Sequence, residues 1–502
     1  PIIANAANLF ADSDFKFSPD SSRVVYRSLY ENDPTELGEL FSTSITGGPV
    51  TQINGNLVIT SGVGARPDFV ISADSSTVVY VAPQDVEARD ELFASPIEGP
   101  RPGFILAESD LDLITAGTIN VGDANAGQFA VNAAITRAAQ TNLVFTTGGN
   151  NSIEFAGPNA SVDANGGNVT LVTSSTGTGS IVSGPAVTDV VAATLTLTSG
   201  SGGIGGSGNP LTFNATTLSS TSGGNSNQFL SEVNSVSLLA SGLDAGTGTV
   251  QLASGIFEAE STTTVNDSTS LKILEAATFR LDGIASETIA GLSGDGTVAE
   301  SGAGSAVLTV GSGDATADFE GVLENGANTL GLTKIGTGTQ TLSGTSTLSG
   351  PTSVNLGTLL VNGSISSSAV TVASGATLGG SGTTGAVNNN GIVAPGASAG
   401  ILSTAGNSAF GDNSTFSIEI GGTTVGTLYD QLNVTGTVTI GNNVTLSLAQ
   451  INAFVPVVGN TFTIIENDAA DAVTGTFNGL AEGTLINGFL GSGLDASISY
   501  VG

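Results

Sequence analysis

Histidine, cysteine, methionine and tryptophan are absent from the 502 residues of this chain, which leaves hydroxyls, carboxylates and 10 cations for any chemistry. "GASAG", Gly396 to Gly400, has the G-x-S-x-G spacing that exposes a nucleophilic serine on a tight turn. With no imidazole in the chain to take its proton, Ser398 has no activating base, so we expect no acyl transfer there. "GSGGIG", Gly200 to Gly205, fits the dinucleotide-binding spacing but neither follows a strand of a βαβ unit nor opens a helix, and reads as a turn. A zinc site fails for want of His and Cys. Among the acids, "EAE" (Glu258 to Glu260) and "ENDAAD" (Glu466 to Asp471) are the most closely spaced. A carboxylate pair can hydrolyse a glycosidic bond. Beyond residue 102, however, the only cations are Arg137, Lys272, Arg280 and Lys334, too few to build a cleft of Asp with Lys or Arg. Asp123 in "VGDANAG", Asp295 in "SGDGT", and Asp314 with Asp318 in "GDATAD" put carboxylates on Gly-rich turns, the oxygen donors that calcium takes. No calcium loop or tandem array accompanies them, so they read as ordinary turns, with calcium the one cofactor they could serve. We expect no catalytic, cofactor-binding or metal-binding residue, and no enzyme.

Charge narrows the partners. The chain holds 43 acidic against 10 basic residues, a net charge of −33, split as 14 against 6 in residues 1–101 and 29 against 4 after them. Neutralising phosphates takes clustered Lys and Arg, so nucleic acid and anionic membranes are poor partners. No apolar run is long enough for a membrane-spanning helix. The acids serve to keep a β-rich surface in solution, or to let divalent cations bridge neighbouring chains. The missing cysteines exclude a disulfide framework. Pro1 cannot be a translation start, and we expect the chain to be a processed product or an excerpt.

What elements would position these residues? "DFKFSPDSSRVVY" (Asp14 to Tyr26) returns as "DFVISADSSTVVY" (Asp68 to Tyr80), and "ELFSTSITGG" (Glu39 to Gly48) as "ELFASPIEGP" (Glu91 to Pro100). Each unit reads strand, turn, strand, loop, strand, an antiparallel blade, with Phe15, Phe69, Tyr26 and Tyr80 in its core. Phe17-Ser18-Pro19-Asp20-Ser21 resembles the hallmark of TolB-like β-propeller repeats, departing at Ser21, where that family usually has Gly, and at Ala73, where it has Pro. Two blades cannot close a ring, so either further blades precede them or the pair packs as a small open sandwich.

At "RPGFILAESD" (Arg101 to Asp110) the texture changes to short apolar or Thr-rich bursts between Gly, Asn and Ser turns. No segment sustains a helical period with caps; "LKILEAATFRLDGIA" (Leu271 to Ala285) comes nearest and reads as strand. Strands this short, with turns this close, predict a solenoid of stacked coils of roughly 20 residues, each pairing with the next about 4.8 Å away. Gly and Asn then take the corners that need positive φ. Thr and Ser line flat faces, and charge is scarce because stacked like charges repel.

Two resemblances lie on this stretch. Residues from about 111 to 255 resemble filamentous-haemagglutinin-type repeats, carried by "LDLITAGTINVGDANAGQFAVNAAI", "NLVFTTGGNNSIEFAG" and "LTLTSGSGGIGGSGNPLTFNATTL". From about residue 290 the chain resembles autotransporter passengers: "LTKIGTGTQTLSGTSTLSGPTSVNLGTLLVNG" is similar to the autotransporter-associated β-strand repeat, and "FSIEIGGTTVGTLYDQLNVTGTVTIGNNVTLSL" (Phe416 to Leu448) continues it. Lys334 matches that repeat's usual Lys, and we expect it at a structural rim. These families imply secreted, right-handed parallel β-helices displayed outside the cell. We therefore expect an all-β chain: two propeller-like repeats in 1–101, a haemagglutinin-like β-helix in 102–289, and a passenger-like β-helix with a C-terminal β cap in 290–502. The expected function is structural, an elongated bacterial cell-surface stalk or adhesin that self-associates into a filament or layer, contacting cells, surfaces or polysaccharide. The alternatives are a secreted carbohydrate-active enzyme on a β-helix and a propeller-headed binding protein.

Overall fold

The computed structural model describes residues 9–30, 39–46, 51–53, 69–72, 75, 77–82, 91–96, 108–185, 187–261, 263–302, 304–468 and 473–501. It divides into two compact units, Pro1–Thr216 with Ser222–Gly224, and Thr217–Thr221 with Asn225–Gly502. Among the described residues the regular structure is strand, joined by turns and bends, with helical turns limited to Glu108–Leu111, Ser312–Asp314 and Phe489–Gly491.

The first unit opens with two antiparallel sheets. Strands Leu9–Phe17, Arg23–Tyr30, Glu39–Ser44 and Thr51–Gln52 form one, and Phe69–Ile71, Thr77–Ala82 and Glu91–Pro96 the other. Val25, Leu40, Ile53, Phe69 and Val78 make a core common to the two, and the Lys16 ammonium lies 4.9 Å from the centre of the Phe69 ring. The Asp20 N–H donates to Ser75 Oγ at 2.8 Å. Ser21 takes a φ of 58°, the left-handed turn for which Gly is the easy choice. The two repeats therefore pair as small sheets, and nothing among the described residues extends them to a propeller. Phe69 is buried as expected, but Phe15 is 55% exposed. Its partner Tyr26 is buried as expected, in a second cluster with Val24 and Phe41 on the side of the sheet opposite Val25 and Leu40. The Tyr80 side chain lies outside the described residues.

After the sheets the first unit becomes a parallel solenoid. Strands Thr118–Val121, Asn142–Thr146, Val169–Val172 and part of Val190–Ser199 stack in register. Ile119, Leu143, Val169 and Leu195 form one inward column, with Val121, Phe145, Leu171 and Leu197 beside it. Alternation along each strand is what sends these side chains in and their neighbours out. At the start of the stack Leu111 is buried, the Glu108 carboxylate accepts the Thr136 N–H at 3.1 Å, and Arg137 reaches Asp112 at 3.3 Å and the Ile114 carbonyl at 2.9 Å. Strand Glu91–Pro96 lies alongside Thr118–Val121. The first coil's edge is thus occupied.

The second unit is parallel throughout its coils. One sheet stacks Ser286–Ile289, Ala306–Val310, Leu330–Lys334, Thr352–Val354, Val370–Val372, Val387–Asn389, Ser408–Phe410 and Val438–Ile440. Another carries Thr339–Leu342, Gly357–Val361, Ala376–Gly380, Ile392–Pro395, Thr415–Ile420 and Thr445–Gln450, and a third Ser364–Ile365, Thr383–Thr384, Ile401–Thr404, Gln431–Val434 and Ile465–Asn467. "LKILEAATFRLDGIA" is strand, as its pattern predicts, in Ser270–Ile273 and Ala277–Leu281. Coil length varies widely around the expected value: Leu359 pairs with Leu378, but Phe416 pairs with Leu446, the excess passing into loops. On the outer face of the first sheet Thr288, Thr309, Thr333, Ser353, Thr371 and Asn388 stand directly over one another. Beyond the coils Phe477 is buried and stacks on Phe416 at 6.1 Å, and its N–H donates to the Tyr500 hydroxyl at 2.9 Å.

Corners follow one rule. A side-chain oxygen of Asn or Asp accepts a backbone N–H from the next coil: Asn142 from Asn168, Asn168 from Thr194, Asn225 from Thr247, Asn407 from Thr437, and Asp412 from Asn442. Each turn satisfies an amide that the strand ladder cannot reach.

Candidate functional site

The solenoid's cations are mostly in structural contacts. Lys334 follows Leu332 and Thr333, so alternation sends it inward, into the column Ile289, Val310, Lys334, Val354 and Val372. It is 0% exposed, and its ammonium donates to the carbonyls of Ile335 at 2.6 Å, Gly336 at 2.9 Å and Leu356 at 3.3 Å. Burial pulls its pKa below the ordinary lysine value, and the charge of Asp314 opposes that shift. The expected rim position is therefore corrected: Lys334 is inside, where it gathers three corner carbonyls. Room for it comes from Gly311, at φ +102°, where a Cβ would stand 1.9 Å from the Ile335 oxygen.

Of the turn carboxylates, none closes on another as a calcium cage. Asp123 accepts the N–H of Asn125 at 2.7 Å, Asp314 that of Thr337 at 2.6 Å, and Asp318 the Ser343 hydroxyl at 3.1 Å. The Thr337 bonds hold the Asp314 carboxyl below its usual range. Asp295 lines an open recess of about 570 Å³ with Ala253, Leu274, Glu275 and Ala276. What the fold does gather is the "EAE" pair: Glu258 and Glu260 meet Asp282 of the next coil, with one oxygen of each within 4.8 Å of the others. Arg280 balances this corner through a 2.9 Å bond to Glu258, and Ser237 donates to Glu260 at 2.6 Å. Of "ENDAAD", Glu466 is exposed on the strand Ile465–Asn467, and Asp471 lies outside the described residues.

The Gly motifs are corners. Gly200 to Gly205 turns between Val190–Ser199 and Leu211–Ser222, with Gly203 and Gly205 at positive φ and Ile204 buried. Ser398 is exposed in the bend that follows Ile392–Pro395.

Sequence reasoning passed over the carboxyls that the fold buries, Asp189, Glu232, Glu287, Glu300 and Asp430, and in three of them burial shifts the titration. Asp189 accepts Ser183 Oγ at 2.8 Å and the N–H groups of Thr212 at 2.9 Å and Gly184 at 3.2 Å. Glu287 accepts the N–H groups of Val265 at 3.0 Å and Thr264 at 3.3 Å. Asp430 accepts those of Glu419 at 2.7 Å and Gly400 at 2.8 Å. Burial raises all three above the ordinary carboxylate range, Glu287 to about 7 and Asp430 to about 6. For Glu287 a signal was there: it stands two residues before Ile289, in the inward phase. Asp189 and Asp430 sit just outside strands, where no phase exists to read.

Lys334 and these carboxyls all bind backbone groups. A family model described as passenger-associated-transport-repeat matches residues 332–361, the stretch from Leu332 through the buried Lys334 to Val361. No curated protein matches the chain. On this repeat and the parallel coils around it, the solenoid is similar to an autotransporter passenger β-helix.

Proposed function

We propose that this chain is the extracellular, structural part of a bacterial surface protein, an adhesin-like passenger. The observation that carries the reading is the passenger-type repeat at 332–361, seated in stacked parallel coils. Each coil contacts its neighbours in sequence, which suits a chain that must fold progressively as it emerges outside a cell. The outer column of Thr288, Thr309, Thr333, Ser353, Thr371 and Asn388 offers neutral hydrogen-bonding groups, compatible with a neutral, hydroxyl-rich partner such as a polysaccharide. Self-association, on this reading, runs side to side through such faces rather than through the occupied edge of the first coil.

A non-enzymatic role fits the residues. Arg137 and Lys334 are buried in backbone-binding roles and Arg280 is tied to Glu258, which leaves little with which to line a cleft that joins carboxylates to cations. Protease treatment of intact cells of the producing organism, followed by antibody detection, tests the reading. The chain should be removed without lysis; protection until the cells are broken would overturn it. Release of reducing ends from acidic or neutral polysaccharides by the purified chain would revive the enzyme alternative.

A further inference from the structure

Two carboxyl groups of the second unit stand where a solenoid core has no packing need for them. Glu287, 1% exposed, begins the inward column that continues as Leu308, Leu332 and Thr352. Its strand is the first of its sheet, and the preceding coil passes this point as the segment 264–266, whose N–H groups on Thr264 and Val265 turn to the Glu287 carboxylate. Asp430 closes the excursion from strand Thr415–Ile420 to strand Gln431–Val434, one oxygen on the Glu419 N–H and the other on the Gly400 N–H of the coil before. We propose that Glu287 and Asp430 make the second unit an acid-tightened solenoid, whose coil-to-coil ties close more firmly as the solution passes from neutral to mildly acidic.

The physical reason is that each carboxylate holds its amides at the cost of a desolvated charge. Each also faces a second acid: Asp267, just past the segment that Glu287 ties, and Glu419 itself for Asp430. Strand Ala306–Val310 and the bend 396–400 bring no titratable group to either. Protonation removes the buried charge and the repulsion; both oxygens of each group already accept an N–H, and relief of the desolvated charge outweighs the weaker bonds to the neutral acid. The native values, about 7 for Glu287 and about 6 for Asp430, lie above the ordinary 4.5 and 3.8. A raised acid binds its proton more tightly when folded. Its contribution is complete below the ordinary value and is lost as pH rises through the raised one.

Hydrogen exchange read by mass spectrometry on the whole chain, from about pH 8 down to about pH 5.5 and normalised to intrinsic rates, tests this. Protection of the amides of Thr264 and Val265, and of Gly400 and Glu419, should rise on acidification by up to about tenfold per pH unit for each carboxyl. Glu287→Gln should flatten the first pair alone and Asp430→Asn the second alone, while the exposed Glu466→Gln changes neither. Wild-type protection that does not vary with pH overturns the proposal without any variant. So does a pH dependence that survives in both amide variants.

Discussion

Lys334 carries the most specific consequence at the scale of one residue. Its ammonium gathers three carbonyls at a corner closed to solvent, so Lys334→Met keeps the volume and strands those acceptors. Leaving buried polar groups unpaired costs about 1–3 kcal/mol, and the variant should lower the denaturant midpoint of the second unit accordingly. Gly311→Ala should do comparable damage by a different route. Its φ of +102° and the Ile335 oxygen in the way of any Cβ force backbone strain of roughly 1–3 kcal/mol. Restoring only the positive charge, with Arg at position 334, would not recover the stability lost in Lys334→Met, because a planar fork does not fit a point-charge site. Here the sequence was partly legible. The resemblance on "LTKIGTG" marked Lys334 as special but led to a rim position, although the alternation of Leu332, Thr333 and Lys334 carries the inward phase. What it could not convey was that three carbonyls from two successive coils converge there, since Leu356 is 22 residues away.

Columns are the unit of stability at the scale of elements. Thr309 and Thr333 are direct neighbours on an outer face, so each aligned pair in the stack behaves like a cross-strand pair. A single Thr333→Asp should be nearly neutral, whereas Thr309→Asp with Thr333→Asp places like charges directly opposite. A double-mutant cycle by denaturant unfolding should return an unfavourable coupling of about 0.2–1 kcal/mol, reduced by salt. Corner amides form columns too: Asn168 accepts from Thr194 and donates its own N–H to Asn142. Asn168→Ala should therefore remove the tie to Thr194 while keeping the backbone N–H bond to Asn142, costing about 0.5–1.5 kcal/mol for the lost side-chain bond and raising exchange at the Thr194 amide. The preference for Thr, Ser, Asn and Gly was plain in the composition. Which Thr stands over which was not, because coil length runs from the short step between Leu378 and Val393 to the long one between Phe416 and Leu446.

At the scale of the whole molecule, a chain rich in parallel strands has edges to protect. In the second unit the coils are followed by a cap in which Phe477 stacks on Phe416 and is held by Tyr500. Phe477→Ala should remove about 3–5 kcal/mol of packing against Phe416 and loosen the cap over the strand Thr415–Ile420. Light scattering should then show concentration-dependent association beyond that of the parent chain, since a loosened edge is a template for pairing.

The sequence by itself determined the all-β character, the parallel stack, the antiparallel repeat at the front and the absence of imidazole and thiol chemistry. Those properties follow from local composition and period, which need no knowledge of what lies overhead. Only the tertiary structure decided that Glu258 and Glu260 meet Asp282, and that Glu287 and Asp430 are interior. Each of these depends on which residue of the next coil arrives above, and that is set by loop lengths that leave no periodic trace.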